Sequence, residues 1–366
     1  MEPNRIHFAY ATPLIGGFAR RAAVRLARSA SQLAPLPVSL AQVHADDSQL
    51  ASWPRSQPTS VTTNLYRGLK ELAPTVLYDF RRRARIDVRA DEILLGHPHF
   101  PFQAGKSGVV EESVRRGSAE GPVVLLSPLH CDVSVQTWHI NADYLRHVGS
   151  LLPLSDGLLA VMGRYWWDQW DSSPFHHWKP KMTRLDLAVD SAHFPHLKKE
   201  FRAPGQRRYL FIARSDDERK GAALFSRIAQ RLGPDKCGWI GAGPDIPHVK
   251  RISNVRPLTP AFMRAVAAEY DVFVSTATAD PNPTTILEAL SWGFPVACTP
   301  QSGYYEDDVI TSISQDTDAA LDVLLSFQRM SDTDLKHRSR LGRCIVESDY
   351  TWDRFRQTVT GVIQAL

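Results

Sequence analysis

Cysteine is scarce in this sequence. Only 4 of its 366 residues are cysteines, and no two of them have the Cys-x-x-Cys spacing. This pattern argues against a cysteine-ligated zinc site and against the disulfide framework of a small secreted protein. A reducing compartment, the cytoplasm, fits this usage best.

Long apolar runs are absent as well. No stretch reaches the roughly 18 uncharged apolar residues that a membrane-spanning helix needs. The apolar run in MEPNRIHFAYATPLIGGF is strand-like and too short for the core of a signal peptide. The sequence therefore predicts no membrane span.

Motifs of several enzyme classes are also missing. The first strand is not followed by Gly-x-Gly-x-x-Gly, and neither a Gly-x-x-x-x-Gly-Lys-[Ser/Thr] loop nor a Gly-x-Ser-x-Gly elbow occurs. This disfavours dehydrogenases, P-loop NTPases and α/β hydrolases. Two Asp-x-Asp segments, at 316–318 and 332–334, resemble metal motifs, but each precedes a helical pattern and is predicted to cap a helix. No metal site is expected.

The composition is that of a soluble folded protein. Hydrophobic residues make up 43% and charged residues 22%, and the length suggests two domains. The net charge of +4 is uneven, because residues 1–100 contain 13 Lys and Arg against 8 Asp and Glu, a net +5. Two arginine clusters lie there: Arg20, Arg21, Arg25 and Arg28, and Arg81, Arg82, Arg83 and Arg85. They indicate an anionic membrane surface or a phosphorylated ligand as partner, or else a solvated helix face. A nucleic-acid partner is not expected.

Short apolar runs alternate with amphipathic segments along the whole chain, which is typical of β/α units. The pattern predicts strands near 5–11, 91–97, 121–127, 157–162, 209–214, 237–243, 271–276 and 295–299, and helices at 219–232, 260–268 and 284–292. The predicted fold class is α/β, with two Rossmann-like doubly wound parallel sheets. The charged, Pro- and Gly-containing stretch 196–208 predicts the boundary between the two domains.

Two segments of the second half carry candidate chemistry. In 213–221, ARSDDERKG, a strand is followed by Arg214, a polar turn and Lys220, and then by a helix. Two cations beside a helix N-terminus suit a diphosphate, although such residues are more often solvated surface. In 280–299, Asp280 precedes a helix and Glu288 lies in its second turn, so both carboxylates can face one crevice and hold sugar hydroxyls. The alternative is a capped core helix.

Five segments in order resemble the retaining family-4 glycosyltransferases with the GT-B fold. ARSDDERKG resembles the family's Gly-Arg-x(5)-Lys-Gly segment, GWIGAGPD (238–245) its Gly-x-Gly-Pro turn, and DPNPTTILEALSWGFPVACT (280–299) its Glu-x(7)-Glu block. LDLAVDSAHFP (185–195) and YTWDRF (350–355) resemble the interdomain signature and the start of the last helix. The resemblance covers roughly residues 155–366 well and the first 150 loosely.

The resemblance implies two domains facing each other across a cleft. Residues 1–200 would form the acceptor-side domain and 201–349 the donor-binding domain, with the helix at about 350–366 packing back on the first. The expected substrates are a UDP- or GDP-type nucleotide-sugar and a glycan or lipid-linked glycan acceptor, with no other cofactor. Donor-binding residues would be Arg214, Lys220, Asn282, Pro283, Thr284, Thr285 and Glu288, and Asp280 would hold the transferred sugar.

In the first half, the resemblance assigns Gly16 and Gly17 to a loop beside the donor diphosphate, although a simple tight turn explains them equally well. His130, just past a strand end, would contact the donor sugar or move the acceptor proton. His97 and His99 are second-rank candidates. The aromatic run RYWWDQW (164–170) is predicted to be core or interdomain packing.

Three positions depart from the family pattern. Asp280 replaces the first glutamate of the block, Ala213 a usual glycine, and Pro283 a frequent glycine. The sequence therefore leaves two alternatives beside a glycosyltransferase. One is a sugar-nucleotide epimerase or hydrolase of the same architecture, and the other is a catalytically silent nucleotide-sugar-binding subunit.

Overall fold

Two parallel β-sheets form the framework of the protein. A computed structural model describes residue 3 and the ranges 5–10, 61–79, 86–99, 108–115, 120–135, 142–254 and 258–366. Six strands belong to the first sheet: β1 (Arg5–Tyr10), β2 (Thr75–Asp79), β3 (Glu92–Gly96), β4 (Val123–Pro128), β5 (Gly157–Val161) and β6 (Met182–Leu185). Six belong to the second: β7 (Tyr209–Ile212), β8 (Cys237–Ile240), β9 (Lys250–Ser253), β10 (Val272–Ser275), β11 (Val296–Cys298) and β12 (Ile310–Ser312).

Helices connect these strands. The α-helices of the described ranges are α1 (Val61–Lys70), α2 (Val109–Arg115), α3 (Ala142–Leu151), α4 (Arg164–Gln169), α5 (Ala222–Leu232), α6 (Pro260–Glu269), α7 (Thr284–Trp292), α8 (Thr317–Arg329), α9 (Asp332–Asp349) and α10 (Trp352–Ala365). Short 3-10 helices lie at Leu152–Leu154, Trp170–Ser172, His176–Lys181, Glu218–Lys220, Pro234–Lys236 and Pro300–Ser302. None of the described helices is long and apolar enough to cross a bilayer.

The strand order of each sheet contains a reversal. The first sheet runs β2-β1-β3-β4-β5-β6 and the second β12-β11-β10-β7-β8-β9, and every neighbouring pair is parallel. The chain therefore winds outward in both directions from β1 and from β7. This confirms the predicted α/β class with two doubly wound parallel sheets. Ligands of such sheets bind beyond the carboxyl ends of the strands where the order reverses, between β7 and β10 in the second sheet.

Both faces of each sheet are covered, which explains the continuous apolar runs in the sequence. Along β7, Leu210 and Ile212 enter one apolar cluster, whereas Tyr209 and Phe211 enter the cluster on the opposite face. Strands buried on both sides need apolar residues at every position. The eight strands that the sequence predicts are the central ones, and β2, β6, β9 and β12 are added at the four sheet edges.

The last helix packs on the first sheet. Phe355 and Val359 of α10 join the apolar cluster of Ile6 and Phe8 in β1 and Leu65 in α1. The chain thus returns to its first half after completing the second sheet. The domain boundaries at 200 and 349 remain a prediction from the sequence.

Most helix ends agree with the sequence patterns, but the predicted helix 219–232 is interrupted at Gly221 and its α-helical part begins at Ala222. The predicted helix 284–292 is confirmed as α7, which ends at Gly293 in the left-handed conformation, with φ of 91°. Asp316 caps α8 by accepting bonds from the backbone N–H groups of Asp318 and Ala319. The second Asp-x-Asp segment opens α9, whose cap is Ser331. The predicted cap is therefore confirmed at Asp316, whereas the second segment forms the first turn of its helix and Ser331 is the cap.

Candidate functional site

The loops that follow β7 and β10 bring two sequence-predicted residues together. The two strands are neighbours, with Tyr209 opposite Val272, and they flank the reversal of strand order. The loop after β7 leads to Lys220, and the loop after β10 leads to Asp280. Lys220 Nζ forms an ion pair and hydrogen bond with Asp280 Oδ2, with the lysine side chain 26% and the aspartate 9% exposed. The pair thus lies where a doubly wound sheet binds ligands.

A tight turn fixes Lys220. The 3-10 helix Glu218–Lys220 begins at Asp217, whose carboxylate accepts from the Arg219 backbone N–H, and it ends at Gly221 with φ of 71°. Thr276, directly after β10, donates its hydroxyl to the Gly221 carbonyl at 2.8 Å. A Cβ on Gly221 would lie 1.7 Å from the Thr276 carbonyl oxygen. Only glycine allows the β7 loop to approach the β10 loop this closely.

Replacing Gly221 with alanine is therefore expected to lower the free energy of unfolding by about 3 kcal/mol or more, since left-handed strain and a steric clash combine. Gly205→Ala is the matched control, because Gly205 has φ of 81° and no atom within 4 Å of the added Cβ. That control should cost only the strain, roughly 1–2 kcal/mol. Chemical denaturation of both variants measures the difference, and equal losses would contradict the close approach.

Arg214 does not join this ion pair. Its guanidinium makes a bidentate pair with Asp216, with Nε to Oδ1 at 2.9 Å and Nη2 to Oδ2 at 2.6 Å. The Arg214 side chain is 64% exposed. The pairing with Asp216 raises the pKa of Arg214 and lowers that of Asp216. A ligand in the crevice would have to draw Arg214 away from this neighbour.

Arg219 is a cation of the site that the sequence analysis missed. It is 8% exposed, and its guanidinium binds Asp217 through Nε at 2.9 Å and Nη2 at 2.6 Å. Its charge contributes to lowering the pKa of His130. The sequence signal was present as an acid and a base two residues apart, but such pairs are common on protein surfaces, and burial alone distinguishes this one.

His130 lies two residues beyond the end of β4 and is completely buried. Its ring packs against Trp166, with a distance of 5.3 Å between ring centroids. Apart from a weak contact with the Asp132 backbone, neither ring nitrogen has a hydrogen-bond partner among the described residues. Burial and then the positive charge of Arg219 lower the pKa of His130 to about 4, against the opposing effects of Asp132 and Asp280. His130 is thus a neutral imidazole at pH 7, which can donate one hydrogen bond and accept another.

This depressed pKa predicts a pH dependence of stability. Between pH 6.5 and 4 the unfolded chain binds a proton at His130 and the folded chain does not, so the free energy of unfolding should fall as the pH falls through that window. A shift from 6.5 to about 4 corresponds to on the order of 3 kcal/mol. Chemical denaturation of the wild type and of His130→Gln at several pH values in this window gives the slope of the free energy of unfolding against pH for each protein. The difference between the two slopes measures the contribution of His130. Parallel slopes would contradict it.

The start of α7 supplies backbone donors. Its cap residue is Pro283, which makes no side-chain capping bond and has no amide hydrogen. Phosphate donors in this stretch are therefore restricted to the N–H groups of Asn282, Thr284 and Thr285. Asn282 Oδ1 accepts from the Leu187 backbone N–H at 3.1 Å, while its Nδ2 has no partner among the described residues. Glu288 is 3% exposed in the second turn of α7.

The remaining candidates of the first half are less well defined. Gly16 and Gly17 lie outside the described residues. His97, after β3, donates its Nδ1–H to the Pro98 carbonyl at 2.6 Å, and burial lowers the pKa of His97 to about 4. The His99 backbone N–H donates to the buried carboxylate of Glu111. In the described part of the chain, no three His, Cys, Asp or Glu side chains are grouped so that they could hold a metal ion.

Comparison with known proteins finds likeness in structure alone. No family profile matches the sequence, and no curated protein does. Sucrose-phosphate synthase from Thermosynechococcus elongatus superposes with a TM-score of 0.58 at 11% identity, over 99% of this chain and 98% of that one. HepE of Anabaena, in complex with UDP, gives 0.55 at 10% identity, over 99% of both chains.

TarM gives a TM-score of 0.56 at 10% identity, over 75% of this chain and 55% of its own. The chain therefore spans about half the length of TarM. At such identities the likeness concerns the fold. Two six-stranded parallel sheets in these strand orders, superposed over nearly the whole length of two glycosyltransferase-fold proteins, give the chain the GT-B fold.

Proposed function

We propose that the protein is a retaining glycosyltransferase, which moves a sugar from a nucleotide-diphosphate-sugar to an acceptor hydroxyl. The observation that carries this proposal is the Lys220–Asp280 pair beyond the carboxyl ends of β7 and β10. His130 of the first half is a neutral imidazole, because burial lowers its pKa more than the charge of Asp280 raises it. A cation can bind a diphosphate leaving group, and a carboxylate can bind sugar hydroxyls. A neutral imidazole can bind the acceptor hydroxyl or assist the movement of its proton.

The donor diphosphate would bind at Lys220 and Arg214, assisted by the N–H groups at the start of α7. Positive charge placed at a departing diphosphate stabilises the transition state and is commonly the largest single contribution to catalysis. In this proposal Lys220 and Arg214 provide the positive charge that a bound metal ion provides in metal-dependent enzymes. Glu288 would bind the ribose hydroxyls of a UDP- or GDP-type donor.

Asp280 would bind hydroxyls of the transferred sugar, and His130 would contact the sugar or assist the acceptor proton. To reach the diphosphate, Lys220 has to exchange its bond with Asp280 for a phosphate oxygen, which frees the carboxylate for the sugar. The acceptor hydroxyl attacks from the face that the diphosphate leaves, and a departing phosphate oxygen takes its proton. This route retains configuration without a protein nucleophile.

The acceptor would be a glycan or a lipid-linked glycan, and an anionic membrane surface is part of this proposal. The membrane proposal is based on four basic residues of the sequence, Arg20, Arg21, Arg25 and Arg28, which lie outside the described residues. We expect the protein to co-sediment with anionic but not neutral liposomes, less so at high salt and after removal of these four charges. Binding that persists without them, or no binding at low salt, would favour a soluble acceptor.

The deciding experiment incubates the protein with a panel of UDP-, GDP- and ADP-sugars, with and without glycan or lipid extracts. Release of nucleotide that depends on an acceptor, together with a labelled glycoside, is expected. Nucleotide release or epimerised donor without any acceptor would indicate a hydrolase or an epimerase. Thermal stabilisation by a nucleotide-sugar with no turnover would indicate a silent binding subunit.

A further inference from the structure

Trp166 makes two hydrogen bonds to the second sheet. It lies in α4, the helix that follows β5 of the first sheet, and it is 2% exposed. Its indole Nε1–H is shared between the carbonyl oxygens of Asp280, at 2.9 Å, and Gln301, at 3.2 Å. Asp280 follows β10 and Gln301 follows β11, so one donor joins two loops at the carboxyl edge of the second sheet.

The same indole ring packs against His130, which follows β4. The Trp166 side chain therefore contacts both the His130 imidazole in the first half of the chain and the Asp280 backbone in the second. The Asp280 backbone N–H also donates to the Gln301 carbonyl, at 2.9 Å. Trp166, Asp280 and Gln301 thus form a closed set of three hydrogen bonds.

Contacts on either side of Trp166 hold α4 close to these loops. The Gly163 backbone N–H donates to the Pro281 carbonyl at 2.7 Å, and the Tyr165 N–H donates to the Gly303 carbonyl at 3.2 Å. A Cβ on Gly163 would lie 2.1 Å from the Gly303 carbonyl oxygen. These backbone contacts keep α4 next to the β10 loop, so that the Trp166 indole can reach the Asp280 carbonyl.

We propose that Trp166 is a positioning residue, which fixes the Asp280 backbone relative to the His130 ring across the junction of the two sheets. This inference rests on the proposed function, because it concerns how the same site is held. The Trp166 side chain need not touch the substrate. A displacement of about 1 Å in a reacting group can lower the rate by on the order of 10²-fold, so a residue that sets this geometry affects turnover strongly.

Apolar packing alone does not require a tryptophan here, since phenylalanine would also fill much of the space beside His130. The chain offers a comparison in Trp170, which is completely buried four residues later. Its Nε1–H donates at 2.9 Å to the Phe175 carbonyl, within the same segment of the first half. The two tryptophans are alike in burial and in having a bonded indole N–H, but only Trp166 bonds to the loops after β10 and β11.

The test compares Trp166→Phe with Trp170→Phe in the full-length protein. Each variant loses a buried indole hydrogen bond, so a general loss of stability affects both, and circular dichroism verifies folding. With the active nucleotide-sugar and its acceptor, Trp166→Phe should lower kcat roughly 10- to 100-fold with little change in the donor KM, while Trp170→Phe stays within about threefold of wild type. Equal kcat values for two folded variants would overturn the proposal.

A second measurement does not depend on activity. Hydrogen exchange of the peptide containing residues 277–283 should quicken at the Asp280 amide in Trp166→Phe, at least tenfold more than in Trp170→Phe, because Asp280 and Gln301 lose their common donor. Unchanged exchange there would refute the positioning role. If the wild-type protein transfers no sugar, the proposed function fails, whereas this exchange measurement still decides whether Trp166 positions Asp280.

Discussion

Lys220→Ala is expected to lower kcat/KM for sugar transfer by about 10²- to 10³-fold and to leave the fold intact. Lys220 is the cation at the reversal of strand order in the second sheet, and its ammonium would neutralise the departing diphosphate. Steady-state kinetics with saturating acceptor measure the loss. Lys236→Ala serves as the control, because Lys236 bonds to the Gly205 carbonyl at a distance from the crevice.

The ion pair complicates this experiment in one respect. Removing Lys220 leaves the Asp280 carboxylate, 9% exposed, without this cation, and an unpaired buried carboxylate destabilises a fold. The double variant Lys220→Ala with Asp280→Asn removes that unpaired charge, so it should recover stability without recovering transfer. Near-normal turnover in folded Lys220→Ala would remove the donor-site assignment.

Asp280→Asn should abolish detectable transfer while a nucleoside diphosphate still binds. The neutral amide loses charge-assisted hydrogen bonds to the sugar but keeps the shape of the side chain. It also releases Lys220 from its ion pair, so the affinity for UDP or GDP should be unchanged or higher. Isothermal titration of the diphosphate, in parallel with transfer assays, separates the two effects.

Asp307→Asn is a suitable control for the titration, since its carboxylate accepts from the Val309 and Ile310 backbone in a turn. A loss of nucleotide affinity in Asp280→Asn as large as the loss of transfer would show that Asp280 binds the nucleotide instead of the sugar. Asp280 has a shorter side chain than the glutamate of the resembled family, but it still reaches Lys220 in this structure.

Prediction from sequence succeeded where the signal was local. Central strands such as β7 and β10 are buried on both faces, so their apolar runs stand out, whereas β9 (KRIS) is a half-exposed edge strand and carries no such run. Helix α7 was placed with its exact ends because Pro283 and Gly293 bound it. The pairing of Arg214 with its near neighbour Asp216 is not apparent from the apolar and turn patterns that predict the strands and helices.

Apolar periodicity and turn residues act over a few positions, so the amino-acid sequence suffices to predict the two doubly wound sheets and the loops that carry His130, Lys220 and Asp280. The contacts among these side chains, in contrast, become apparent in the folded chain. Lys220 and Asp280 are 60 residues apart in the sequence, and Trp166 and Asp280 are 114 residues apart, yet both pairs form hydrogen bonds. Burial distinguishes Arg219 from the exposed cations around it. These contacts depend on which strands become neighbours and how closely two glycines let their loops approach, and no local pattern encodes either.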